Sequence, residues 1–124
     1  VSWLNAGAYR RVGEALPPRH DPRVRAFAWF ARAPVDWPAF EDGLATLLEL
    51  AGERILRVKG LVHCADADGP VAVHAVQHTL YPPARLPAWP DADRRTRLVF
   101  IVRDLEESFV AQTLSSFVPA PAER

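Results

Sequence analysis

Five side chains in this sequence carry the chemistry of a soft or borderline metal ligand: His20, His63, Cys64, His74 and His78. His63 and Cys64 are adjacent, so on a strand they point to opposite faces. His74 and His78, read as members of one strand, share a face. Four residues span roughly 13 Å along a strand, too far for that pair alone to chelate one ion. A composite site across a hairpin, joining His63 to His74 or His78, stays geometrically open, but histidines on a sheet surface explain the same residues; no metal site is assigned, and these three are the candidate ligands if there is one. Cys64 is the sole thiol, which excludes an internal disulfide and any paired-cysteine zinc site. It falls on an apolar strand face, where thiols pack rather than react, so no catalytic residue is assigned.

Phosphate chemistry fares no better. A P-loop needs a glycine-rich run ending in Lys followed by Ser or Thr. Here Gly7, Gly13, Gly43, Gly52, Gly60 and Gly69 stand alone, and Lys59 is followed by Gly60. A sheet platform for RNA is the next possibility, with Arg57 and Lys59 on one strand and Phe27 and Trp29 on another. The charge balance weighs against it: 15 basic residues face 15 acidic ones, and Asp66 and Asp68 sit in the adjoining hairpin. Packing of that face against another domain explains the same residues. Arg57, Lys59, Trp89 and Arg103 are therefore the candidate interaction residues, and neither nucleic acid nor membrane is an expected partner.

These side chains must be positioned by a chain of 124 residues, 49% hydrophobic and 24% charged. That fits one domain with a core of its own. No apolar run approaches the ~18–20 residues of a membrane span, and the first residues lack signal-peptide order. The expected setting is cytoplasmic. Twelve prolines cluster at candidate turns, and only Lys59 among the basic residues is lysine.

Residues 1–22 read as a short helix and a proline-rich linker, 23–118 as the folded domain, and 119–124 as a tail. A strand is expected over 23–32 with apolar side chains on both faces, hence covered on both sides. Phe40, Leu44, Leu47, Leu48 and Ala51 follow the stripe of an amphipathic helix, capped by Asp36 or Trp37 with Pro38 in its first turn and closed by Gly52 as a C′ residue. The sequence 54–64 alternates as a strand, with Leu56, Val58, Gly60, Val62 and Cys64 on one face. The loop 65–70 returns it to a strand over 71–81. A long proline-punctuated excursion carries Trp89, a further strand covers 97–103, and Asp104 with Glu107 forms a capping box for a second helix. The order β-α-β-β-β-α gives an α+β fold: a mainly antiparallel sheet of about four strands, two helices on one face, and a right-handed first crossover.

Five stretches in order carry a family resemblance. Ile55-Leu56-Arg57-Val58-Lys59-Gly60 resembles the L-x-R-x-K-G signature of the C-terminal domain of CobW-type GTPases. The run from Arg97 to Leu105 resembles that domain's closing strand, with Val102 where the family usually has glycine. Val73 to His78 and Pro87-Ala88-Trp89-Pro90 are similar to its middle strand and Trp-Pro loop, and 27–40 to its opening strand and helix start. The resemblance implies a parent protein with an N-terminal P-loop GTPase domain, a linker, and this domain. It implies GTP, Mg and zinc or cobalt for the parent and no cofactor or chemistry for this part. The implied role is a regulatory and interaction domain of a GTP-dependent metallochaperone. Its implied partners are the GTPase domain of the same chain and a client metalloprotein or a second copy. A stand-alone RNA-binding module and a small His-based metal-binding protein are the alternatives.

Overall fold

A computed structural model describes residues 21–118. The short helix expected near the start and the tail after 118 lie outside these residues. β1 (Val24–Ala31) leads through a turn into α1 (Trp37–Ala51), where the Asp36 carboxylate accepts from the Ala39 N–H at 3.2 Å and Pro38 occupies the first turn. A 3-10 turn (Gly52–Arg54) passes the chain into β2 (Ile55–Val62), followed by β3 (Val71–Val76) and the two-residue strands β4 (Thr79–Leu80) and β5 (Ala84–Arg85). β6 (Thr96–Arg103) and α2 (Glu107–Ser115) complete the order.

The sheet runs β1-β6-β2-β3-β4, with β5 on β3, and every pairing is antiparallel. It is an α+β fold, as expected, but with six strands rather than about four. The last long strand in the sequence, β6, lies between β1 and β2, so those two are parallel to each other without pairing. Leu98, Phe100 and Val102 of β6 alternate toward the helices, where they join Val58 and Val73 from the neighbouring strands and Phe40, Leu44, Leu47, Val110 and Leu114 from α1 and α2. All of these are at most 1% exposed, so this side of the sheet holds the core.

Several local expectations are corrected. Gly52 does not close α1 in a left-handed conformation; it is right-handed (φ −56°) and starts the 3-10 turn. The glycine is required for space, because a Cβ there would stand 2.5 Å from His78 Nδ1. Asp104 is not a helix cap either. It adopts φ 53° at a turn, its N–H bonds the Arg23 carbonyl at 2.8 Å, and Glu106 precedes α2 without a side-chain cap. In β2 a register shift between Ile55 and Arg57 turns Ile55 into the core alongside Val58, against the simple alternation. The strand expected over 71–81 breaks at Gln77 (φ 52°) and reverses into β4. Finally, β1 is covered on one face only, since Ala26, Ala28 and Phe30 on the other are exposed.

Candidate interaction face

The side of the sheet opposite the helices carries most of the residues singled out from the sequence. Cross-strand register builds it in rows. One row runs Ala28, Val99, Lys59, His74; the next, Ala26, Ile101, Arg57; and a third, Phe30, Arg97, Leu61, Ala72. Tyr81 extends the first row, its ring stacked on His74 at 5.2 Å with an interplanar angle of 25°. The centre is thus small or branched apolar side chains on β1 and β6, bordered by Arg57, Lys59 and His74 on β2 and β3.

Electrostatics sharpen this border. Burial, and then the neighbouring Arg57, pull the Lys59 ammonium below its ordinary pKa. Burial followed by Arg57 and Lys59 lowers His74 in the same way. His74 Nε2 is buried with no hydrogen-bond partner among the described residues, and its ring lies between the cations and Tyr81.

The excursion between β4 and β6 folds over one end of this face. Trp89 stands edge-on to His63 at 5.5 Å, and the Arg97 guanidinium lies 6.0 Å from the Trp89 ring. Arg97 also reaches Asp91 at 3.1 Å and Asp93 at 3.2 Å. Arg95 covers the Phe30 ring at 4.3 Å while bonding Asp93, whose carboxyl those Arg95 hydrogen bonds hold down to about 2. Leu61, the β2 partner of Arg97, is fully buried although it belongs to the open side. Trp89 is therefore engaged within the domain. The opposite end is marked by Arg103, 3.6 Å from Asp21 at the start of the described chain.

Other expectations are dispersed or removed by the same geometry. Phe27 stacks on Phe100 at 5.5 Å and Trp29 lies 6.2 Å from Phe40, so both aromatic rings face the helices and do not join Arg57 and Lys59 in a platform. His74 and His78 part at the Gln77 turn, and His78 rests against Gly52 beside α1. His63 lies four residues beyond Lys59, the partner of His74, and so roughly 13 Å along the strand from it. Among the described residues no group of three or more His, Cys, Asp or Glu has metal-holding geometry. Cys64 is 1% exposed and bridged to Val35 through backbone bonds, and burial raises its thiol pKa, which disfavours the thiolate. The strap's Asp91, Asp93, Arg95, Arg97 clamp was missed from the sequence; alternating opposite charges just before an apolar strand were the available signal.

No helix of the described residues is long and apolar enough to cross a membrane. Comparison with curated proteins gave no match. Among solved structures the chain is similar to the Zn(II)-bound YjiA GTPase from E. coli and to a Zn(II)-bound triple mutant of the YjiA GTPase. Each shares 18% identity at a TM-score of 0.68, over 83% of this chain and 34% of the other, a likeness of fold. This chain thus spans about a third of those proteins' length, 34%. The family model described as the cobalamin synthesis protein cobW C-terminal domain matches residues 24–118, from the first residue of β1 to the end of the described chain. The chain belongs to the family of CobW C-terminal domains.

Proposed function

We propose that this domain is the regulatory and interaction part of a CobW-like, GTP-dependent metallochaperone that delivers zinc or cobalt in the cytoplasm, and that it performs no chemistry itself. The observation that carries the reading is the sheet side left open by the helices: exposed Ala26, Ala28 and Arg57 lie beside half-buried Val99, Lys59 and His74. An apolar centre with a cationic border suits a protein surface, since the centre gains from desolvation and the border sets orientation. The occupant is the GTPase domain of the same parent chain, linked through 1–22, or a client metalloprotein. Arg57 and Lys59 make the contacts, Arg103 marks the linker end, and Trp89 serves the face by fixing its strapped edge.

GTP and Mg fit no residues here. Lys59-Gly60 is not a P-loop ending, and the phosphate cradle belongs to the proposed upstream domain. The metal is cargo of the parent protein. The test is full-length parent protein carrying Arg57→Ala and Lys59→Ala. Weakened domain association or altered GTP turnover, with unchanged melting of this domain, is the expected result. Unfolding of this domain with coupling intact in the surviving protein would make the two residues internal struts.

A further inference from the structure

The two edges of the sheet are unlike. At one, β3 is covered by β4 and β5, of two residues each, with Pro82 and Pro83 between them. Short strands and prolines are devices that close a sheet edge to further pairing. At the other edge lies β1, eight residues without proline, glycine or lysine, in unbroken register with β6. Its backbone groups alternate in direction. The Asp104 N–H reaches the Arg23 carbonyl at 2.8 Å and continues the register of Val24 with Arg103. Arg23 and every second residue after it (Arg25, Phe27, Trp29, Ala31) therefore bond toward β6, and Val24, Ala26, Ala28 and Phe30 point their N–H and C=O groups outward. The Asp21 carbonyl takes the Val24 N–H at 2.9 Å. Among the described residues no strand takes the outward groups of Ala26, Ala28 and Phe30.

The strand is its own complement. Arg25 is its one charged residue, so antiparallel self-pairing about the middle of β1 opposes no like charges. A two-fold axis at Phe27 sets Ala26 opposite Ala28 and Phe30 opposite Val24 on the open side, where the small pair lets the backbones approach. On the helix side it sets Arg25, 57% exposed and 3.6 Å from Glu106 of its own domain, opposite Trp29 of the second copy, a cation facing an indole. Phe27 then meets its own equivalent on the axis. Ala26 and Ala28 form the bonded pairs nearest the axis, and the Phe30 N–H meets the Val24 carbonyl. We propose that β1 pairs antiparallel, about Phe27, with β1 of a second copy of this chain. Two six-stranded sheets then continue into one, with all helices on the same side. The contact is made by the edge of the sheet and does not depend on what docks on its open side.

The experiment is sedimentation equilibrium of the 124-residue chain, which should dimerise, beside thermal unfolding of its variants. Ala28→Pro removes an outward N–H and no bond to β6, a position where an edge strand tolerates proline. It should raise the dimer Kd at least about tenfold, since each copy loses a bond across the axis, and leave unfolding of the dilute chain little changed. Ala26→Lys, on the exposed side of the same edge, should also dissociate the dimer, and it decides the matter if the proline variant does not fold. Mixed Ala26→Cys and Ala28→Cys chains should cross-link to each other on oxidation, because residues directly opposite stand within disulfide reach. Neither cysteine variant should cross-link with itself. A chain that stays monomeric, or a dimer indifferent to both Ala28→Pro and Ala26→Lys, overturns the proposal. Cross-linking of one cysteine variant with itself overturns the pairing about Phe27.

Discussion

Gly52 and Gly60 both make room for a neighbour, and what the neighbour is decides how replaceable each glycine is. At Gly60 an added Cβ would meet backbone of β6, 2.1 Å from the Arg97 carbonyl oxygen and 2.7 Å from the Leu98 Cα. Neither atom can withdraw without breaking the central pairing, so Gly60→Ala should cost at least the ~1–3 kcal/mol of an overpacked site. At Gly52 the obstacle is the imidazole of exposed His78. Gly52→Ala should cost less, and His78→Ala should restore most of the loss. Urea denaturation of the three single variants and the 52/78 double variant measures this. Equal losses at both glycines, with no rescue, would refute the distinction. The sequence marked Gly52 as an element boundary, but the contact with His78 depends on a turn distant in sequence and was not legible.

His74 gives a second test at this scale. Its pKa is depressed below the ordinary 6.5 by burial first, then Arg57 and Lys59, with Tyr81 stacked on the ring. Between that depressed value and 6.5 the unfolded chain binds more protons than the folded one. Stability must therefore rise with pH across this window and fall on acidification through it. Melting followed from pH 7.5 to 5.5 should show a decline that is reduced in His74→Gln; an unchanged slope in the variant removes His74 as the source.

At the level of elements, periodic signals survived folding where one element answered to one partner. Phe40, Leu44, Leu47, Leu48 and Ala51 are all buried, because α1 lies on the sheet along a single stripe and nothing shifts its phase. Leu47→Ala should cost ~2–5 kcal/mol in denaturant unfolding, and a loss near that of a surface change would mean the stripe is misplaced. Strand alternation was less durable. The shift at Leu56 carries Ile55 to the core side, and the reversal at Gln77 replaces the end of a long strand with β4. Neither position holds glycine or proline, so no local signal announced them. The strap was legible as a long loop but its attachment was not. Trp89→Ala should lower stability by about 1–3 kcal/mol, as for a half-buried aromatic ring, because it removes the ring packed against His63 and leaves Arg97 with its aspartates alone. Melting unaltered by that change would detach Trp89 from the strap.

The whole molecule has two unlike sides, and neighbouring residues of β6 report on them separately. Phe100 faces α1 and is fully buried; Val99, the next residue back, lies on the open side between Ala28 and Lys59. The family resemblance and the α+β class were legible because motif order and binary pattern are properties of the chain. Which side stays open was not, because both aromatic residues of β1 that suggested an outer platform point inward to Phe100 and Phe40. This asymmetry yields the last prediction. Phe100→Ala should remove about 3–5 kcal/mol from the domain itself, so any loss of assembly in the parent protein tracks the unfolded fraction. Val99→Glu should leave the melting midpoint within the range of a surface change, helped by Lys59 alongside, while placing a carboxylate that any docked surface must desolvate. In the parent protein, domain association should then weaken at unchanged melting. Intact association with Val99→Glu would show that the partner docks elsewhere, even if Arg57 and Lys59 prove sensitive.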